Sequence, residues 1–266
     1  MTEELPLLWD TTAAPSAFDP ADWIDYAARR SGRPRPTLPD GVVLSLMRAH
    51  VDLVRERTGA EPDDFTGGGH PLAVLAHAGD EVGFCYSAKG SYAAGAIDEL
   101  VELGARRVVV LGGAGSLVEE LPIGQLLVPT KALRDEGVSF HYEPPSRYSF
   151  PSERLSQALV AAAEARSAAI TAAPVWTTTA HFRLALPRLE AFRDEGCVAI
   201  NNEASIAFSV GRHRGIEVAF LLLIGDSLAG GRFRAPEGDG WLYGVDERAL
   251  LLDLACDALL STKGCS

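Results

Sequence analysis

Residues 218–225, "VAFLLLIG", contain no polar side chain, and residues 108–112, "VVVLG", are a second run of the same kind. A strand that alternates apolar and polar residues covers a core on one face only. Strands apolar throughout belong to a sheet covered on both faces. Such a sheet needs two covering layers, and helices connecting the strands supply them. The rest of the chain fits this demand. Residues 42–59 begin as a strand and continue as an amphipathic helix that stops at Gly59. "PLAVLAHAGDEVGFCYSA" holds two short strands around a turn at Gly79 and Asp80. In "SYAAGAIDELVELGA", Ala94, Ile97, Leu100, Val101 and Leu103 fall on one side of a helix closed by Gly104. Further strands are expected at 125–130, within "APVWTTTAHF" and at 198–200. Helices are expected at 152–167, in "RLALPRLEAFRDEG" where Pro187 starts or divides the segment, at 203–214 before Gly215, and at 245–260. No repeat or linker divides the chain. The pattern predicts one α/β domain over residues 1–266, with a central mixed β-sheet flanked by helices. Residues 1–40, rich in Pro, Ala and Asp, read as an irregular N-terminal extension with a short helix near 21–30.

Composition narrows the function classes. The 266 residues are 47% hydrophobic, enough for a chain of this size to bury roughly 70–75% of its unfolded surface. A formal net charge of −12 argues against nucleic-acid binding and against an anionic membrane surface. The one basic cluster, "RRSGRPRP", is broken by Gly and Pro and reads as a solvated loop. Cys85, Cys197, Cys256 and Cys265 form no C-x-x-C pair, and the six histidines form no H-E-x-x-H. Unpaired thiols suit a reducing cytoplasm, and no zinc signature is present. "MTEELPLLWD" lacks the basic n-region of a signal peptide. No apolar run approaches the ~18–20 residues of a membrane span, so a soluble cytoplasmic protein is expected.

The strand at 108–111 runs into Gly112, Gly113, Ala114 and Gly115, a bend of the kind that lets a polar group approach the backbone. It is not a dinucleotide fingerprint. The third glycine of G-x-G-x-x-G is Val118, and Pro122 and Gly124 interrupt any following helix. The Lys-Ser/Thr of a P-loop is missing as well, so no nucleotide cofactor and no metal are expected. The bend is either a tight turn or a ligand cradle. Two other strand ends carry unusual residues: Asn201, Asn202 and Glu203 after 198–200, and Gly225, Asp226 and Ser227 after 218–224. Asn202 can serve as an N-cap with Glu203 in the first turn facing the helix dipole, and Asp226 can cap the next element. Together, two carboxylates at strand ends also mark a crevice of the type in which α/β proteins bind ligands.

The stretch "KGSYAAGAIDELVELGARRVVVLGGAGSL", followed by "IGQLLVPTKALRDEGVSFHY", resembles the nucleoside phosphorylase and nucleosidase superfamily of purine nucleoside and uridine phosphorylases. In that family a helix, a strand and a glycine loop precede a "G-D-hydrophobic-hydrophobic-x-P" strand and an "R-D-E-G-x-S-x-H-Y" bend. "VWTTTAHFRLAL" and "AINNEASIAFSVGRHRGIEVAFLLLIGDSL" are similar, in the right order, to its "W-T-T-D-x-x-Y-R", "M-E" and "S-D" stretches. The resemblance covers residues 90–233. It implies cleavage of the C1′–N bond of a purine or pyrimidine nucleoside through a ribosyl cation-like transition state. Asp226, matching the "S-D" aspartate, would donate a proton to the leaving base. Glu203, matching the "M-E" glutamate, would accept the ribose hydroxyls and stabilise the cation. Phe182 would pack on sugar or base, with His181 and Arg183 reading the base edge and Asn202 beside the sugar. Gly112, Gly113, Ala114 and Gly115 would lie against the base and the nucleophile. The resemblance further implies inorganic phosphate as co-substrate, no cofactor, and a homo-oligomer between dimer and hexamer.

The departures concern the nucleophile. Many phosphorylases carry an arginine on the strand before the glycine loop and a serine or threonine after its first glycine; here these are Val110 and Gly113. The N-terminal "G-D-P-x-R" motif is not visible, which leaves Arg48, Arg134 or a neighbouring subunit to hold a phosphate. The family's "T-D" is Thr178-Thr179, its "M-E" Asn202-Glu203 and its "S-D" Gly225-Asp226. "GGAGSL" is nearer the nucleosidases, which use water, yet their "G-A-M-x-x-E" is missing too. A phosphorylase-like enzyme is the leading expectation, with a hydrolytic nucleosidase or specialised nucleoside-processing enzyme as the alternative and a non-catalytic nucleoside-binding protein as the rival.

Overall fold

The computed structural model describes residue 10, residues 12–236 and residues 245–264. In chain order the elements are α1 (Pro20–Ser31), β1 (Gly41–Ser45), α2 (Ala49–Thr58), β2 (Leu72–His77), β3 (Asp80–Tyr86), α3 (Tyr92–Glu102), β4 (Arg107–Ser116) and β5 (Leu126–Arg134). They continue with β6 (Tyr148–Ser149), α4 (Glu153–Ala165), β7 (Ile170–Thr177), α5 (Leu186–Asp194), β8 (Ala199–Asn201), α6 (Ala204–Arg214), β9 (Glu217–Ser227) and α7 (Val245–Ser261). The α/β single domain expected from the strand–helix alternation is present. No helix among the described residues is long and apolar enough to cross a membrane.

Nine strands form one mixed sheet in the order β2-β3-β1-β4-β8-β7-β5-β6, with β9 paired to both β4 and β5. β3, β1, β4 and β9 run parallel to one another, and β2 is antiparallel to β3. β8 is antiparallel to β4, and β5 is antiparallel to β9. The pairings β4–β9–β5–β7–β8–β4 therefore close on themselves, so one half of the sheet curls into a ring while β1, β2 and β3 remain an open wing.

The apolar runs divide between two cores as period-2 geometry requires. Val42, Leu44, Val108, Val110, Phe220, Leu222 and Ile224 face a cluster shared with α1, α3 and α6. Val43, Val109, Leu111, Ala219, Leu221 and Leu223 face the opposite cluster with α2, α4 and α7. α5 covers a smaller third cluster, in which Trp176 meets Phe192 edge-on at 5.1 Å. Pro187 sits in the first turn of α5 and so starts the helix. In the N-terminal segment the expected short helix is α1, which buries Ile24 and Ala27 in the first cluster, and Leu38 joins them, while residues 33–39, between α1 and β1, are irregular and mostly exposed.

The glycines after Leu111 are not a loop. β4 runs unbroken through Gly112, Gly113, Ala114 and Gly115 to Ser116, paired with β9 throughout. Glycine in a strand marks close approach of a neighbour, and the neighbour here is β9. A Cβ at Gly112 would stand 3.0 Å from Phe220 Cε1 and 3.3 Å from its Cζ. Gly112 makes room for the Phe220 ring.

Candidate active site

The site begins with a change of register. Ala114 pairs with Ile224, but Gly115 pairs with Asp226, leaving Gly225 as an extra residue in β9. A bulge of this kind bends a strand and re-aims the side chain that follows. Asp226 consequently leans over Gly115, where a Cβ would overlap its Oδ1 and touch Ile200 Cγ2 at 3.3 Å. Gly115 is also the residue that β8 pairs with, through Ile200. One glycine thus has the Asp226 strand on one side and the strand leading to Glu203 on the other.

Glu203 follows β8 directly and stands at the N-cap position of α6, but its side chain makes no capping bond. Asn201 provides the cap. With its amide oriented to satisfy both ends, Nδ2 donates to Thr177 Oγ1 at 3.0 Å and the oxygen accepts from the N–H groups of Glu203 and Ala204 at 3.2 and 3.0 Å. The capping role considered for Asn202 therefore belongs to its neighbour, and Glu203 is free to point elsewhere. Its Oε1 accepts from the Gly90 N–H at 2.8 Å and its Oε2 from the Asn202 N–H at 3.3 Å. The carboxyl is only 3% exposed. Burial pushes it above the usual glutamate range, against the pull of the Gly90 N–H, the Lys89 charge and the Asn202 N–H.

Asp226 differs. Its carboxyl accepts no hydrogen bond from the described residues, and Ser227, not Asp226, caps the next turn through the Ala229 N–H at 3.2 Å. Burial raises its pKa, opposed by Lys89. A half-buried carboxyl with no donor and a raised pKa can be held protonated and deliver that proton to a bound group. Glu203, anchored by a backbone donor, is arranged instead to accept.

The other expected residues separate into two groups. Gly112 to Gly115 line β4 as described. His181, Phe182 and Arg183 lie on the exposed connection between β7 and α5, Phe182 being 91% exposed with its ring against His181 at 4.3 Å. The structure thus leaves these three facing solvent. Asn202 contributes its N–H to Glu203, and its side chain is half-buried.

Of the arginines considered for an anion, Arg134 is already engaged. It is buried under Phe140, and its guanidinium donates to Ser139 Oγ, Pro144 O, Ser146 Oγ and Glu143 O at 2.6–3.1 Å. Its task is to hold the bend after β5. Arg48 is exposed after β1, stacked over the Tyr86 ring at 5.6 Å. Val110 is fully buried in the first core cluster and offers nothing to an anion. Lys89 and Gly90, in the turn between β3 and α3, were not singled out from the sequence. The available signal was a lysine followed by glycine at a strand-to-helix turn, the same setting as the other strand ends.

The phosphorylase superfamily model matches residues 65–240. A guanosine phosphorylase of Halorubrum lacusprofundi is 24% identical over 171 residues, covering 64% of this chain and 71% of that protein. In fold, the chain is similar to the AMP nucleosidase of Bacteroides thetaiotaomicron, with a TM-score of 0.72 at 20% identity over 94% of this chain and 100% of that one. It is also similar to the purine nucleoside phosphorylase of Toxoplasma gondii, with a TM-score of 0.71 at 19% identity over 85% and 93% of the two chains. The matched span is more than half of the chain and includes Gly115, Glu203 and Asp226, and the chain belongs to the phosphorylase superfamily.

Proposed function

We propose that this protein cleaves the N-glycosidic bond of a nucleoside with inorganic phosphate as the nucleophile. The observation that carries the reading is the pairing of differently held carboxyls around Gly115: Glu203, buried and held by the Gly90 N–H at 2.8 Å, and Asp226, half-buried without a donor among the described residues, both raised in pKa by burial. Family membership and the guanosine phosphorylase relative support a purine nucleoside as substrate.

In the reaction, the C1′–N bond breaks with its electron pair going to the base. Asp226, as the neutral acid, transfers its proton to the base nitrogen as negative charge develops there. Glu203 accepts hydrogen bonds from the ribose hydroxyls, fixing the sugar and opposing the positive charge on the ring. A phosphate oxygen forms the new bond to C1′, giving ribose 1-phosphate and free base. Asp226 regains a proton from solvent before the next turnover. Pairs of titratable groups whose surroundings set them to different tasks are a common basis for such division of labour.

A hydrolytic reading is favoured by one observation. Val110 is buried among apolar side chains, so β4 brings no charge to a phosphate, and water needs none. Base release with and without phosphate, with ribose 1-phosphate assayed directly, separates the two. Phosphate-dependent release yielding ribose 1-phosphate is expected. Release at full rate without phosphate, yielding free ribose, overturns phosphorolysis in favour of a nucleosidase. The exposed aromatic ring of Phe182 supports self-association as a homo-oligomer. Light scattering that found only the 28.3 kDa monomer would refute it.

A further inference from the structure

Glu203 is carried by the start of α6, so whatever fixes that first turn fixes the carboxyl. Two strand-end residues satisfy its backbone: Asn201 caps Glu203 and Ala204, and Thr177 Oγ1 accepts from the Ser205 N–H at 3.1 Å. A third anchor comes from a different element, the bend after β5. Ser205 Oγ donates to Glu136 Oε1 at 2.9 Å, and Glu136 Oε2 accepts from the N–H groups of Val138 and Ser139 at 2.6 and 3.1 Å. Four residues on, Ser209 Oγ donates to Glu143 Oε2 of the same bend at 2.6 Å. Residues at i and i+4 lie on one helix face, so two carboxylates of one bend grip α6 along a single line. Glu136 is nearly buried and Ser205 fully so. Burial lowers the Arg134 pKa, and the charges of Glu143 and Glu136 oppose that fall, so the guanidinium in the bend compensates both carboxylates.

We propose that Glu136 is a positioning residue for the site: through Ser205 it sets the rotation of α6 about its axis and so holds the Glu203 carboxyl at Gly90 and the sugar. The inference rests on the glycosidic-cleavage reading and deepens it by naming a residue that acts on the reaction only through Glu203. Asn201 and Thr177 bind the end of the helix and serve as a pivot. The Ser205–Glu136 bond ties a side of the same turn to another part of the chain and resists turning about that pivot. A helix with its side chains has a radius of about 5–6 Å, so a rotation of ~10° moves a side-chain tip by about 1 Å. A misplacement of that size costs on the order of 10²-fold in rate. The buried residues Ala204–Gly211 also resist rotation, so loss of the one hydrogen bond should cost less than this, roughly tenfold. The bond from Ser209 to Glu143 has the same chemistry one turn farther from Glu203, and it provides the internal comparison.

The test compares Ser205→Ala, which deletes the bond by one atom and leaves Glu136 anchored in the bend, with Ser209→Ala, which deletes the matching bond one turn later. Glu136→Ala and Glu136→Gln accompany them, all in the full chain. The first measurement is kcat/KM on a purine nucleoside, alone and in the Glu203→Gln background. Ser205→Ala and Glu136→Ala should each lose roughly tenfold. Glu136→Gln should recover most of that loss, because its amide can accept from the bend and donate to Ser205 Oγ. In the Glu203→Gln background the Ser205→Ala loss should shrink below about twofold, whereas independent roles would multiply. The second measurement is hydrogen exchange of the Gly90 amide, which involves no turnover. Ser205→Ala should speed it while core amides of β4 stay protected, and Ser209→Ala should leave it unchanged. Wild-type kcat/KM in Ser205→Ala, an equal loss in Ser209→Ala, an undiminished loss in the Glu203→Gln background, or Gly90 exchange that Ser205→Ala does not alter overturns the proposal. A chain that cleaves no nucleoside yet shows the Gly90 response refutes the function and spares the positioning. One that cleaves nucleosides with the Gly90 amide unmoved does the reverse.

Discussion

Gly115→Ala separates a positioning role from a packing role at a single atom. The backbone of Gly115 is not in the left-handed region, so alanine is conformationally allowed there. The new methyl would nevertheless overlap Asp226 Oδ1 and lie 3.4 Å from its Cγ. Contacts of a real Cβ below 3.0 Å are essentially unknown, so the carboxylate has to retreat by more than about half an ångström, and rotation of a short side chain is the cheapest way. A misplacement approaching 1 Å costs on the order of 10²-fold in rate, about 2.7 kcal/mol of transition-state stabilisation. Stability should change by less than about 1 kcal/mol, because glycine-to-alanine restricts the unfolded chain and offsets the crowding. Gly112→Ala is the matched control. Its methyl meets Phe220 Cε1 at 3.0 Å and Leu46 Cδ1 at 3.6 Å inside the core, an overpacking that costs roughly 1–3 kcal/mol without touching a carboxyl. The assay is kcat/KM on a purine nucleoside alongside thermal melting. Gly115→Ala should lose activity at nearly constant Tm, and Gly112→Ala should lower Tm with a smaller kinetic effect. Full activity in Gly115→Ala would refute the placement of Asp226 at the reacting base.

Glu203→Gln should lower kcat/KM by roughly 10²-fold while leaving stability at neutral pH equal or higher, since glutamine keeps an acceptor for Gly90 without a buried charge. Because burial raises the Glu203 pKa from 4.5, its contribution to stability is present below that value and is lost as pH rises through the folded value. Denaturant melts across this range should show a flatter profile for Glu203→Gln, and identical profiles would contradict the assignment. Asp226→Asn should impair purine nucleosides more than substrates with a good leaving group, and equal losses would remove the general-acid role. The acid acts when protonated, so wild-type kcat should fall as pH rises through the raised Asp226 pKa, and this limb should vanish in Asp226→Asn. Arg134→Ala should cost about 3 kcal/mol by stranding the carbonyls of Glu143 and Pro144. A higher KM for phosphate at unchanged Tm would instead restore Arg134 to the site.

What the sequence disclosed depended on whether the cause was local. The apolar runs of β4 and β9 needed only period-2 geometry to announce a sheet covered on both faces, and Gly59, Gly215 and Pro187 punctuate their helices through backbone rules that involve no distant partner. Glu203 and Asp226 were legible as carboxylates at strand ends. Their difference was not, because it comes from long-range events: the Gly90 N–H reaching Glu203 across 113 positions, and the extra residue in β9 that turns Asp226 toward Gly115. The same limit misled the reading of Gly112 to Gly115. A glycine cluster reads locally as a bend, whereas here Phe220 and Asp226 on another strand require the missing side chains. Asn201 rather than Asn202 became the cap because β8 runs one residue further than expected, to Asn201 itself.

The missing arginine on β4 follows from the same packing. Val110 pairs with Leu44 on one side and Phe220 on the other, and all three are fully buried. A guanidinium at this position would be taken out of water among Val42, Leu222 and Ile97 of the same cluster, and burying an unpaired charge costs several kcal/mol even after relaxation. Strand β4 in this chain is buried core up to Leu111 and continues as Gly112, Gly113, Ala114 and Gly115 to Ser116. The turns after β1 and β3 leave Arg48 and Lys89 exposed to solvent. An Arg introduced at Val110 should destabilise the fold without tightening phosphate. Melting and phosphate titration of Val110→Arg measure this, and a stable variant with tighter phosphate binding would refute it.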